Sequence, residues 1–189
     1  METIWIVGMM GAGKSAVGRV LARMLKTRLV DTDEVIAREA GVSIPEIFEK
    51  EGEAGFRARE LRAVKELSTR PQIVSLGGGA LTQADLKSWV REHGTLVYLR
   101  ADPYTLLRRV GDGSSRPLLA NLSRDERLQR IRDLLGAREN DYAAASVIID
   151  TDRKRPRTVA LELLDHLRER GTVNIDVDDL ADPVVKGST

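Results

Sequence analysis

The sequence predicts an α/β fold, a three-layer sandwich on a five-stranded parallel sheet. Three observations carry that prediction. Short apolar runs alternate with longer stretches of helical period along the chain. The runs lack the polar alternation of a half-exposed strand, and the segments joining them are helical rather than tight turns. Parallel strands need such crossovers, and strands covered on both faces read as continuously apolar.

The elements follow in order. "TIWIVG" is the first strand, and the helix from Lys14 sets Val17, Val20, Leu21, Met24 and Leu25 on one face. "RLVDTD", "QIVSLGGG", "TLVYLRAD" and "SVIID" supply the other four strands. Thr82 with Asp85 marks a helix start before "LKSWV", and Ser123 with Glu126 marks another before "RLQRI". One helix carries the inner stripe Leu61, Val64 and Leu67; a later one carries Ile131, Leu135 and Tyr142. The stretch "VGDGSSRPLLANLS" (110–123) has the Gly, Ser and Pro content of a mobile loop. Residues 1–171 are expected to form one domain. The acidic, then polar, residues 172–189 are expected to be a disordered tail.

Composition excludes several classes. The 189 residues carry 30 Lys and Arg against 29 Asp and Glu, so no overall field favours nucleic acid or an anionic membrane. Without cysteine there is no disulfide framework, thiolate zinc site or cysteine nucleophile, which fits a reducing cytoplasm. "IWIVGMM" is too short for a signal peptide, has no basic segment before it and opens into a glycine loop. No apolar run approaches the roughly 20 residues of a membrane span. A soluble, cytoplasmic protein is expected.

"VGMMGAGKSAVG" (7–18) fits two nucleotide patterns. Gly11, Gly13 and Ala16 match the dinucleotide fingerprint, and Asp31 or Asp33 would serve as its acidic partner. Gly8, Gly11, Gly13, Lys14 and Ser15 fit the phosphate loop G-x-x-x-x-G-K-[ST]. A dinucleotide fold needs more strands than this chain offers and has no use for Lys14 beside Ser15. The phosphate loop needs both: backbone N–H groups around a polyphosphate, Lys14 on its β- and γ-phosphates, and the Ser15 hydroxyl on Mg²⁺. No Asn-Lys-x-Asp guanine reader follows, which excludes a GTPase switch. A short chain with two aspartates ending its second strand points to a kinase acting on a small molecule.

The acceptor side follows from position. Asp33 lies past a buried strand, where a carboxylate can orient an attacking hydroxyl. For Asp31 or Thr32 a plain helix N-cap reading serves as well. Arg57 stands one turn above Leu61, at the cleft end of a core-facing stripe, with Glu60 placed to pair with it. Arg138 occupies the same place on the Ile131–Tyr142 stripe. Two convergent arginines suit a carboxylate. Three glycines at 77–79 exceed the needs of a turn and allow backbone to approach a ligand. Arg116 sits among small residues with no fold reason for its charge. His93 and His166 suit helix C-termini, and Trp5 and Trp89 suit the core.

"DTDEVIAREAGVSIPEIFEKEGEAGFRARE" (31–60), "SLGGGAL" (75–81), "RPLL" (116–119), Arg138 with Tyr142, and "DTDRKRP" (150–156) resemble the shikimate kinase family from about Ile4 to about Arg170. The resemblance implies the phosphate-loop kinase fold, with an acceptor-binding helical segment at 31–62 and a lid at 110–123. It also implies ATP-dependent phosphorylation of shikimate to shikimate 3-phosphate, on the route to chorismate and the aromatic amino acids. Lys14, Asp33 and Arg116 would be catalytic. Gly11, Ala12, Gly13, Lys14, Ser15, Ala16, Arg109, Arg116 and Lys154 would bind ATP, with Pro156 beside the adenine. Asp33, Arg57, Gly78, Gly79 and Arg138 would bind shikimate, and Ser15 and Asp31 would hold Mg²⁺. Where this chain has Lys154 the family often has arginine, so a stacked guanidinium is lost. ATP and shikimate are the expected partners of a monomer. Two rivals stay open: a kinase for another hydroxy acid such as gluconate, and a non-catalytic nucleotide-binding module.

Overall fold

The computed structural model describes residues 1–113, 116 and 118–174. Five strands, β1 (Ile4–Val7), β2 (Leu29–Asp31), β3 (Ile73–Ser75), β4 (Thr95–Arg100) and β5 (Val147–Asp150), form one sheet. Their order is β2-β3-β1-β4-β5 and every pairing is parallel. The helices are α1 (Lys14–Met24), α2 (Thr32–Ala40), α3 (Ile44–Leu67), α4 (Ala84–Glu92), α5 (Pro103–Val110), α6 (Arg124–Tyr142) and α7 (Pro156–Glu169), with a 3₁₀ turn at Ala80–Thr82.

Handedness assigns the layers. Parallel crossovers are right-handed, so the step from β1 out to β2 puts α1 on one face. The later steps run the other way and put their helices on the opposite face, where α4 packs on β4 and against α3. After β5, α7 returns to pack against α1. The core is apolar through β1, β3 and most of β4, as the unbroken runs predicted. β5 departs from that expectation: it is an edge strand whose burial alternates, with Ile148 and Asp150 exposed. A second, smaller core of Val35, Ile36, Ile47, Phe56 and Ala63 holds α2 to α3.

Register fixes the site's position. Asp31 pairs with Ser75, and Val7 with Tyr98, so the connections after β1, β2 and β3 all leave at one edge of the sheet. Ligands of open α/β sheets bind at that carboxyl edge.

Three local expectations need correction. α4 begins at Ala84 with Gln83 as its N-cap, not at Thr82, because Thr82 closes the 3₁₀ turn by donating from Oγ1 to the Gly79 carbonyl at 2.8 Å. β2, expected to be buried, is half-buried along its length at the edge of the sheet, while the break at Gly52 (φ 68°) within the α3 span leaves Arg57 in the opening turns of its second helical segment. The packed chain also runs past residue 171: Thr172 and Val173 are buried, and Thr172 Oγ1 lies 2.9 Å from Thr95 Oγ1. Of the expected tail, 175–189 lie outside the described residues. Among the described residues no helix is long and apolar enough to cross a membrane.

Candidate active site

The connection from β1 to α1 forms the floor of a cleft of about 520 Å³. Gly8 (φ 148°) leaves the strand against the Leu99 carbonyl, which a Cβ there would meet at 2.6 Å. Gly13, left-handed at φ 101°, caps α1 with no side chain between the helix N-terminus and the cleft. Lys14 Nζ donates to the Gly8 carbonyl at 2.8 Å. Burial pulls its ammonium down to about 8, although Asp31 and Asp33 push it the other way.

The same cleft is lined by Gly11, Gly13, Lys14, Ser15, Ala16, Asp31, Asp33, Gly78, Gly79, Arg109, Arg116 and Arg138. Ala12 is buried and faces away. Asp31 is the N-cap of α2, accepting from Asp33 N at 3.0 Å, so the capping reading holds alongside its place in the cleft. Thr32 is buried as a strut: its Oγ1 donates to the Ser75 carbonyl at 3.3 Å and accepts from Gly77 N at 3.2 Å. Asp33, on the first turn of α2, opens onto the cleft. Desolvation by the cleft walls and the like charge of Asp31 raise its carboxyl above the ordinary range, against Lys14, Arg116 and Arg57.

Gly77, Gly78 and Gly79 are crowded by charged side chains. A Cβ on Gly77 would lie 3.1 Å from both Asp33 Oδ1 and Glu60 Oε1. On Gly78 it would lie 3.2 Å from Arg138 Nη1, and on Gly79 3.2 Å from Arg57 Nη2 and 3.5 Å from Arg138 Nη2. The glycines therefore let two carboxylates and two guanidinium groups meet over bare backbone. Arg57 Nη1 donates to Glu60 Oε2 at 2.8 Å and to the Gly79 carbonyl at 3.2 Å. The other anchors carry no charge pattern that sequence could reveal. Arg138 Nη1 reaches Met9 Sδ at 3.7 Å, and Tyr142 Oη donates to the Gly78 carbonyl at 2.5 Å. Burial pushes the Tyr142 hydroxyl up to about 12, keeping it a donor.

Arg116 heads a turn in which Leu119 N and Ala120 N both donate to its carbonyl at 2.9 Å. Leu119 anchors the turn in the core, and Arg116 and Leu118 line the cleft. Of the expected lid, residues 114, 115 and 117 lie outside the described residues. Arg109 is committed to backbone: Nη1 donates to the Gly11 and Ala12 carbonyls at 3.3 and 3.4 Å and to Thr151 Oγ1 at 2.9 Å, and Nη2 to the Thr151 carbonyl at 2.6 Å.

Among the predicted residues, Ala12, Arg57 and Lys154 do not line the cleft, and it is Lys154 that the structure turns away. Its Nζ pairs with Glu162 of α7 at 2.6 Å, and it does not line the cleft. Arg153, left-handed at φ 56°, rotates the connection so that the next side chain falls along α7. A larger cavity of about 870 Å³ lies between α5, the start of α6 and this connection. No predicted site residue lines it, and its Asp102 and Asp152 carboxylates are occupied by backbone N–H groups.

Arg138 and the glycine loop before Lys14 thus line one cleft, and Arg57, which does not line it, meets Arg138 over Gly79. The sequence profile of the family described as shikimate kinase matches residues 10–168. The chain belongs to the shikimate kinase family. A shikimate kinase of Bordetella pertussis is 44% identical over 167 residues, 87% of this chain and 78% of that one. One of Chlorobium chlorochromatii is 42% identical over 166 residues, 85% of this chain and 87% of that one. The structure of shikimate kinase from Acinetobacter baumannii in complex with shikimate superposes with a TM-score of 0.82 at 38% identity, covering 90% of this chain and 94% of that one. A gluconokinase from Sinorhizobium meliloti, at TM-score 0.55 and 17% identity, shares the fold alone.

Proposed function

We propose that this protein transfers the γ-phosphoryl group of ATP to a hydroxyl of shikimate, giving shikimate 3-phosphate and ADP on the route to chorismate. One observation carries the reading. Asp33, beside the phosphate loop, and the Arg57–Arg138 pair are brought to two glycines of a single turn, Gly77 and Gly79. An acceptor held by its carboxylate at the arginines would then present a ring hydroxyl to Asp33.

The backbone of Gly11 to Ala16 would cradle the β- and γ-phosphates, with Lys14 released from the Gly8 carbonyl onto them. Asp33 would accept the hydroxyl proton as the oxygen attacks phosphorus and ADP leaves. Arg116 would neutralise charge on the moving group, its segment closing as a lid. The chemistry is positioning and charge neutralisation.

Mg²⁺ fits the residues present. Ser15 is exposed at the start of α1 and lines the same cleft as Asp31, while no cluster of three or more protein ligands occurs among the described residues. Mg²⁺ takes few protein ligands and completes its shell with phosphates and water. Ser15 and Asp31 would hold it, and when bound it supplies charge to the β- and γ-oxygens. We further propose a cytoplasmic monomer.

The test is release of ADP by purified protein with Mg-ATP and either shikimate or gluconate. Turnover with shikimate well above that with gluconate is expected. Faster turnover with gluconate overturns the acceptor assignment, and no ADP release with either acid favours a non-catalytic nucleotide-binding module.

A further inference from the structure

α4, like α1 and α7, starts without a side-chain cap bond, and its N-cap side chain is instead held by Glu60 at the acceptor end of the cleft. α2, α3, α5 and α6 begin on Asp31, Ser43, Asp102 and Ser123, each accepting a hydrogen bond from the first turn. α4 begins on Gln83, whose side chain makes no cap bond. Its amide instead donates from Nε2 to Glu60 Oε2 at 2.6 Å. The same oxygen accepts Arg57 Nη1 at 2.8 Å. Departures from local preference concentrate where a side chain is needed elsewhere.

We infer that Gln83 is a positioning residue for the acceptor site: it holds Glu60, which in turn orients Arg57 toward the substrate carboxylate. The inference rests on the shikimate reading above. Glu60 is 1% exposed, so its carboxylate depends on the donors around it. Arg57 approaches it from its own helix, Gln83 from the start of α4 and Asp33 from α2, while Arg138 of α6 reaches the neighbouring Gly79. Burial raises the Glu60 carboxyl and Asp33 raises it further, while Arg57 and Gln83 pull it back. Loss of the Gln83 donor therefore lets Glu60 protonate at higher pH. A protonated Glu60 releases its grip on Arg57, so shikimate binding weakens on the acid side.

Gln83→Met keeps the stem and removes the donor; Gln83→Lys restores a donor. The KM for shikimate should rise about fivefold in Q83M on the acid side, converge with wild type as pH rises, and return toward wild type in Q83K. The turnover number and the KM for ATP should stay close to wild type. Equal KM–pH curves for wild type and Q83M overturn the inference, as does a fall confined to kcat. Carboxyl ¹³C NMR of the ligand-free protein separates this from the choice of substrate. The Glu60 titration must move up in Q83M whatever the enzyme phosphorylates, and an unmoved titration in a variant of unchanged melting temperature also overturns it.

Discussion

Arg57 and Arg138, carried on α3 and α6, place their Nη2 atoms 3.2 Å and 3.5 Å from the single point that a side chain on Gly79 would occupy. Two guanidinium groups brought this close repel each other. Glu60 at 2.8 Å and the exposed Glu53 at 3.4 Å both pair with Arg57, while Arg138 reaches a thioether. Among the described residues Arg138 is therefore the guanidinium of the two with no carboxylate partner, and a small carboxylate suits both forks.

Removing either guanidinium should act on acceptor binding. Arg57→Ala and Arg138→Ala should each raise the KM for shikimate by about 10- to 100-fold, the weight of a hydrogen bond to a charged group, with the KM for ATP little changed. Because both forks serve one carboxylate, the double substitution should fall short of the product of the singles. Steady-state kinetics over the double-mutant cycle checks this. An effect confined to ATP would place the arginines at the wrong end of the cleft.

Asp33 governs the acid side of the rate profile. Its carboxyl lies above the ordinary range, so kcat should fall as pH drops through that raised value and the proton acceptor is lost. Asp33→Asn should cut kcat by about 10²- to 10⁴-fold, remove the acid limb and leave ATP binding in place. Paired pH–rate profiles and ATP titrations decide it. Near-normal turnover in D33N would remove Asp33 from the chemistry.

The fold and most of the cleft were legible because they rest on pattern. Five apolar runs separated by helical stretches allow few topologies once handedness is imposed, and a glycine loop before Lys14 has one chemical use. Arg57 and Arg138 were legible because each continues a buried stripe to its cleft end. What escaped depends on where side chains finally turn. Lys154 reads as a cleft residue until Glu162, eight positions on, captures its Nζ. Thr82 reads as a helix cap until Gly79 takes its hydroxyl, which shifts the start of α4 and leaves Gln83 to face Glu60. Met9 carries no charge to mark it, yet its sulfur touches Arg138 and Tyr142.

Nucleotide binding should take up a proton above neutrality. In the free protein burial holds the Lys14 ammonium near 8, and the negative phosphates of ATP would raise it. Between those two values the bound form carries more protons, so affinity for ATP should weaken as pH rises above about 8 and level off below it. Calorimetry at pH 8.5 in buffers of different ionisation enthalpy should report the uptake. Lys14→Met should abolish it. Equal heats in all buffers would mean that Lys14 is already fully protonated in the empty cleft.

Arg109 and Lys154 should separate sharply at the nucleotide end. Arg109 ties the Gly11 and Ala12 carbonyls to Thr151, joining the phosphate loop to the connection after β5. Arg109→Ala leaves those carbonyls short of a donor and frees the loop, so the KM for ATP should rise about tenfold and the melting temperature should fall. Arg109→Lys should rescue little, because one ammonium cannot span a fork's several acceptors. Lys154 spends its charge on a half-exposed pair with Glu162, and such pairs contribute about 0–1 kcal/mol. Lys154→Ala should therefore leave the KM for ATP within about twofold of wild type. If K154A instead weakened ATP as much as R109A, the bound nucleotide would have to draw Lys154 away from Glu162 and into the cleft.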